Sequence, residues 1–95
     1  MALGQIVLDE LKLLRQKGVA ELISLSPMTE KVVQDGTKEI SLYTYRETSH
    51  DGRVVVIVKA FRQRFLRSDA AAEGFAITSN GEIADLDEEE RSTLY

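Results

Sequence analysis

Three short turn signals constrain the fold of this 95-residue chain more than any other feature: Asp35-Gly36, Asp51-Gly52 and Asn80-Gly81. Each pair lies between stretches rich in β-branched and aromatic residues. Such pairs fit two-residue hairpins, because both central positions of the tightest turns need a positive φ. The turns therefore predict an antiparallel β-meander. Its strands are expected at residues 30–34, 37–48, 53–64, 72–79 and 82–85, with a looser link at residues 66–71.

Before Pro27 the apolar residues follow the helical period instead of alternating, which predicts an amphipathic helix over residues 2–17. The apolar stripe consists of Leu3, Val7, Leu11 and Leu14, with Ile6 and Leu13 beside it. Leu8 falls off the stripe, among polar residues. Gly18 is expected to end the helix as a left-handed cap. Residues 19–26 fit either a short second helix or a strand, and Pro27 ends whichever element forms.

The C-terminal end predicts a short closing helix, since Asp87 is a good N-cap and glutamates occupy residues 88–90, its first turn. A chain of this length is too short for two independent cores, and no linker divides it. We therefore expect one α+β domain over residues 1–95. It consists of an N-terminal amphipathic helix packed on an antiparallel meander of about four to five strands, and a short C-terminal helix.

Composition excludes several classes of site. The chain has no Cys, which excludes a disulfide scaffold and a thiolate zinc site, and its single His excludes a multi-histidine metal site. The net charge of −4 conceals a segregation, because residues 53–67 carry five Lys or Arg and no acid, whereas residues 68–95 carry eight acids and one Arg. Neither the order of a secretory signal nor an apolar run of membrane-spanning length is present. The expected location is the cytoplasm, without membrane attachment.

Two places invite a chemical interpretation, and each has a simpler one. His50 lies beside Asp51 and is a candidate general base, but neighbouring turn residues rarely aim at one atom, which favours a solvent-exposed histidine. Asp85 and the acids at residues 87–90 offer oxygen ligands for Ca²⁺ or Mg²⁺, yet their spacing fits a metal loop poorly and helix capping explains them. The glycines form no phosphate-binding loop. The sequence thus predicts a protein that is not an enzyme and holds no cofactor or metal.

The central strand has more apolar residues than one buried face needs. Pairing across a two-residue loop at Asp51-Gly52 predicts that Tyr43 and Tyr45 share a face with Val54, Val56, Val58 and Ala60. The other face then carries Val55, Ile57, Lys59, Phe61 and Gln63, with Ile40, Leu42, Thr44 and Arg46 from the neighbouring strand. The N-terminal helix can cover one face. Either residues 19–34 or another molecule must cover the second.

Residues 59–67 interleave cations with aromatic residues, a composition found in nucleic-acid-binding surfaces. Alternation along a strand, however, turns Phe61 toward the core and Arg62 and Arg64 toward solvent or the acidic tail. The preferred interpretation is therefore a small non-enzymatic module that binds a protein partner or a second copy through its sheet. Its predicted contact residues are Tyr43, Tyr45, Arg62 and Arg64, because aromatic residues and Arg dominate interface energetics. The alternative is a nucleic-acid-binding accessory protein that uses the basic strand.

Overall fold

Helices flank one antiparallel sheet in the computed structural model of the protein, which describes residues 2–36, 38–49, 51–64 and 67–92, without the side chains of residues 35, 63, 64, 67 and 68. The elements in chain order are α1 (Leu3–Arg15), α2 (Val19–Ile23), β1 (Met28–Asp35), β2 (Lys38–Thr48), β3 (Val54–Arg64), β4 (Arg67–Ile77), β5 (Ile83–Asp85) and α3 (Glu88–Ser92). The five strands lie side by side in chain order. The predicted α+β fold, a helix on a meander with a short closing helix, is confirmed.

The amphipathic stripe of α1 is the part of the fold that the sequence predicts best. Its buried residues are Leu3, Ile6, Val7, Leu11 and Leu14. Leu8 is exposed as expected, and Leu13 is exposed as well, although it was predicted to border the stripe. The cap prediction is wrong: α1 ends at Arg15, and Gly18 has a φ of −67° and precedes the first turn of α2.

The ambiguous residues 19–26 form the short helix α2, not a strand. Its Leu22 is fully buried in the same core as the α1 stripe. The remaining members of this core are residues of β2, β3 and β4, among them Ile40, Val58 and Phe75. Both N-terminal helices therefore cover the same face of the sheet.

The loop between β2 and β3 is one residue longer than predicted. The Ser49 N–H donates to the Arg53 carbonyl at 2.8 Å, and the Gly52 N–H donates back to the Ser49 carbonyl at 3.0 Å. Three residues thus separate the paired ends, and Gly52 closes the loop in the left-handed region with a φ of 87°. This is a hairpin with a glycine bulge, in which the left-handed position at the end of the loop requires the glycine.

The other connections also differ in detail from the prediction. The loop between β4 and β5 repeats the three-residue pattern, with the Thr78 N–H bonded to the Glu82 carbonyl at 2.8 Å. In the first hairpin Asp35 pairs with Lys38, so that two residues join β1 to β2. The looser link expected at residues 66–71 is wrong, because β4 begins at Arg67 and pairs with β3 from there onward.

The predicted C-terminal helix is confirmed together with its cap. The Glu90 N–H donates to Oδ1 of Asp87 at 2.8 Å, and the Asp87 N–H points back to Oε1 of Glu90 at 3.4 Å, which is a capping box. Leu86, just before the helix, packs against Ile57 and Ala76. An ion pair of 3.0 Å between Arg53 and Glu90 fixes α3 at the start of β3.

Candidate interaction surface

The register between β2 and β3 decides which face carries the two candidate tyrosines. Tyr43 lies opposite Lys59 and Tyr45 lies opposite Ile57. Directly opposed residues share a face, so the predicted grouping of the tyrosines with Val56 and its even-numbered neighbours is wrong. The physical reason is the three-residue loop, since a shift of one residue in register turns every side chain to the other face.

We call the side of the sheet away from α1 and α2 the open face. It carries the even-numbered residues of β1 and β4 and the odd-numbered residues of β2 and β3. The prediction that residues 19–34 fold over this face is wrong, because Leu22 packs on the other side and β1 is itself part of the sheet. Leu86 packs on the open face in a cluster with Ile57 and Ala76, against which Tyr45, Val55 and Ala72 are packed.

Tyr43, Tyr45 and Phe61 form a cluster on the open face beside the residues packed around Leu86, and we call it the aromatic patch. The rings of Tyr43 and Tyr45 stack with their centroids 6.3 Å apart, and Phe61 meets Tyr43 edge-on at 5.7 Å. The ammonium group of Lys59 lies 5.6 Å from the Tyr45 ring centroid. These contacts hold the rings in place, and pre-ordered aromatic side chains lose little entropy on contact with a partner.

Acidic side chains surround the aromatic patch. Glu30 of β1 lies opposite Tyr43, and the interaction of its carboxylate with the Tyr43 hydroxyl raises the pKa of that tyrosine. Glu39 and Glu47, near the two ends of β2, belong to the same face and are exposed. Among the described side chains, the patch therefore has an apolar centre with one cation, Lys59, and carboxylates along its β1 and β2 sides.

Apolar residues that sequence reasoning missed extend this surface. Met28 and Val32 on β1 are 51% and 54% exposed, and Phe61 is 39% exposed. For β1 the signal was available, because Met28, Glu30 and Val32 alternate with residues of the opposite face. Phe61 was assigned to the core because alternation separates it from Arg62 and Arg64, and this assignment is wrong. The exposed row of β1 thus borders the aromatic patch along the edge of the sheet.

The two candidate arginines do not join the tyrosines. Arg62 pairs with Ile40, so it lies on the helix-covered face, where its side chain is 14% exposed and its Nη2 lies 3.3 Å from Oδ2 of Asp69. The side chain of Arg64 falls outside the described residues. Since Lys59 and Arg62 lie on opposite faces, the described part of the basic run does not form one cationic surface.

The remaining sequence candidates are also placed. His50 lies outside the described residues. Asp85 forms an ion pair of 2.7 Å with Arg15, and this contact lowers the pKa of the Asp85 carboxyl. Within the described parts of the chain, no three His, Asp or Glu side chains are grouped to hold a metal ion.

A depression of about 560 Å³ beside α1 has charged walls that contain two ion pairs. The guanidinium of Arg15 lies 2.7 Å from Asp85, and that of Arg91 lies 3.2 Å from Glu73.

Comparison of the chain with protein families, with curated proteins and with solved structures finds no match. Among the described residues no helix is long and apolar enough to cross a membrane. The surface itself is therefore the basis for inferring a function.

Proposed function

We propose that this protein is a small cytoplasmic, non-enzymatic module that binds another protein through the open face of its sheet. The supporting observation is the aromatic patch: Tyr43, Tyr45 and Phe61 form an ordered cluster on the face away from α1 and α2, in which Tyr45 packs at its rim against the cluster around Leu86 and Phe61 is exposed. Contiguous exposed apolar groups with a polar border are typical of protein interaction sites.

The border indicates the chemistry of the partner. Glu30, Glu39 and Glu47 surround the patch with carboxylates, so a partner with apolar side chains between Lys or Arg residues complements it best. Tyr43 contributes both an apolar ring and a hydroxyl to such a contact. Aromatic residues of this kind carry most of the energy at the centre of protein interfaces.

Affinity capture from the native host with a patch variant tests this function. In the variant, Tyr43→Ser and Phe61→Ser remove two rings of the patch. In the matched control, Leu8→Ser and Leu13→Ser remove two exposed leucines from α1, on the far side of the molecule. We expect wild type and control to retain the same protein and the patch variant to lose it. Circular dichroism confirms that each variant is folded.

Two outcomes contradict the proposal. One is that wild type and patch variant retain the same proteins in the same amounts. The other is that the retained material is removed by nuclease and by raised salt, which is the behaviour of a nucleic-acid-binding protein.

A further inference from the structure

The outer edge of β1 is a long strand edge that no other described strand adjoins. β1 pairs with β2 along residues Met28–Asp35, and no other strand of the described chain adjoins it. The strand contains no proline or glycine. A long regular edge that presents exposed apolar side chains is prone to pair with another strand. At the opposite side of the sheet, the edge strand β5 has only three residues.

The hydrogen-bond pattern shows which backbone groups point outward. The Arg46 N–H donates to the Pro27 carbonyl at 3.0 Å, so residues 27 and 46 form a hydrogen-bonded pair. In an antiparallel ladder such pairs alternate along the strand. The odd-numbered residues of β1 therefore bond to β2, and the even-numbered residues, Met28, Glu30, Val32 and Gln34, direct their N–H and C=O groups outward. The same four residues point their side chains to the open face.

We infer that β1 is a self-association edge, at which a second copy of the chain adds its own β1 antiparallel about a two-fold axis through Val32. A two-fold axis perpendicular to the sheet keeps both open faces on one side. It also brings outward-pointing even residues opposite one another. The result is one continuous sheet of two protomers, with both α1 helices on the same side.

Charge excludes two nearby positions of the axis, and the exposed apolar side chain of Val32 favours the position chosen. An axis through Glu30 places the two Glu30 carboxylates opposite each other, and an axis through Lys31 places the two Lys31 ammonium groups opposite each other. Like charges in opposed positions destabilise a strand pair. An axis through Val32 instead places the two valines against each other and Glu30 against Gln34 of the second copy. Lys31 then lies opposite Val33 of the second copy, while its ammonium group remains paired with Glu10 at 2.6 Å.

In this register the outward N–H and C=O groups of β1 gain hydrogen-bond partners without a change in the backbone of either copy. Residues 30, 32 and 34 of each copy form a ladder of about six hydrogen bonds across the axis. The 54%-exposed side chain of Val32 becomes covered by its symmetry mate. The two aromatic patches become parts of one wider face. The inference goes beyond the proposed function, because it concerns the edge of the sheet and not its face. The dimer and the proposed function can therefore be contradicted independently of each other.

Sedimentation equilibrium of the purified chain tests the inference. We expect the mass of the wild type to rise from 10.6 kDa toward twice that value as the concentration approaches about 1 mM. Val32→Pro removes an outward N–H but no bond to β2, and it should raise the dimer dissociation constant about 100-fold. Val32→Thr keeps the N–H and the β-branch and should dimerise like the wild type. Val32→Lys places like charges opposite each other across the axis and should also weaken the dimer. This variant replaces Val32→Pro in the test if the proline variant fails to fold.

Each contrary result overturns the inference. A wild type that remains at 10.6 kDa at every concentration excludes the edge dimer, as does a folded Val32→Pro variant that dimerises normally. If Phe61→Lys abolishes the dimer and Val32→Lys does not, the copies associate by their faces instead. In all three cases a partner captured through Tyr43 and Phe61 still supports the proposed function.

Discussion

The residue with the widest influence on this surface is Gly52. It takes a φ of 87°, a region that L side chains rarely adopt, and closes a loop of three residues between Ser49 and Arg53, one more than a two-residue turn has. The additional residue decides the parity of the β2–β3 register. The dipeptide predicts the position of the turn, but its local chemistry is compatible with loops of either length. The face of Tyr43 and Tyr45 was therefore not predictable from the sequence.

Asp51 stabilises the same loop through its carboxylate. It accepts hydrogen bonds from the Ser49 hydroxyl, from the Arg53 N–H at 3.2 Å and from the Arg53 guanidinium at 2.9 Å. These contacts, the Ser49 bond first among them, lower the pKa of Asp51 to about 2. A carboxyl whose pKa is lower in the folded than in the unfolded chain stabilises the fold when ionised.

The lowered pKa of Asp51 predicts how the stability of an Asp51→Ala variant depends on pH. The stabilising contribution is fully present above about pH 4, the ordinary pKa of an aspartate, and is lost as the pH falls toward 2. We expect the variant to unfold at a lower urea concentration than the wild type at pH 7, and the gap to close by about pH 2. A gap of constant size across this range would show that the carboxylate charge has no part in the loop.

At the scale of elements, hydrophobic periodicity predicted α1 correctly, whereas residue propensities did not predict the start of β4. The helical stripe of α1 recovers its buried residues because the 3.6-residue period is unambiguous over three turns. The first part of β4 was missed because residues 67–71 contain Arg, Ser, Asp and Ala, which have low strand propensity. Pairing with β3 along its whole length overrides that local preference. Pairing between two strands leaves no such trace in the sequence of either strand alone.

The contact between β3 and β4 yields a prediction about Gly74. A Cβ atom at this position would lie 2.5 Å from the Val56 carbonyl oxygen, a backbone atom that cannot move aside. Gly74→Ala should therefore destabilise the protein by about 1–3 kcal/mol, as overpacking usually does. Urea denaturation measures the change.

Gly4→Ala is the matched control, because a Cβ at Gly4 in α1 meets nothing within 4 Å. Alanine has the higher helix propensity, so this variant should gain up to about 1 kcal/mol. Equal stability of Gly74→Ala and the wild type would show that the two strands do not approach as closely as described.

At the scale of the whole molecule, α1 and α2 form one layer against the sheet. They bury the even-numbered residues of β2 and β3, and on the other side Leu86, just before α3, packs against Ile57 and Ala76. The surplus of apolar residues in β3 was visible in the sequence, and the open face is where it is found. To know which rings lie on this face, one needs the register between β2 and β3. To know which backbone groups of β1 point outward, one needs the backbone hydrogen bonds.

The central claim is that the open face is in contact with another protein in the cell. Hydroxyl-radical footprinting tests it directly, by comparing the oxidation of side chains in intact cells with that of dilute purified protein. Leu8 and Leu13, exposed on α1, serve as internal references. The proposal predicts that Tyr43 and Phe61 are oxidised less in the cell than in dilute solution while the two leucines are unchanged. Equal oxidation of the rings in both samples would contradict it.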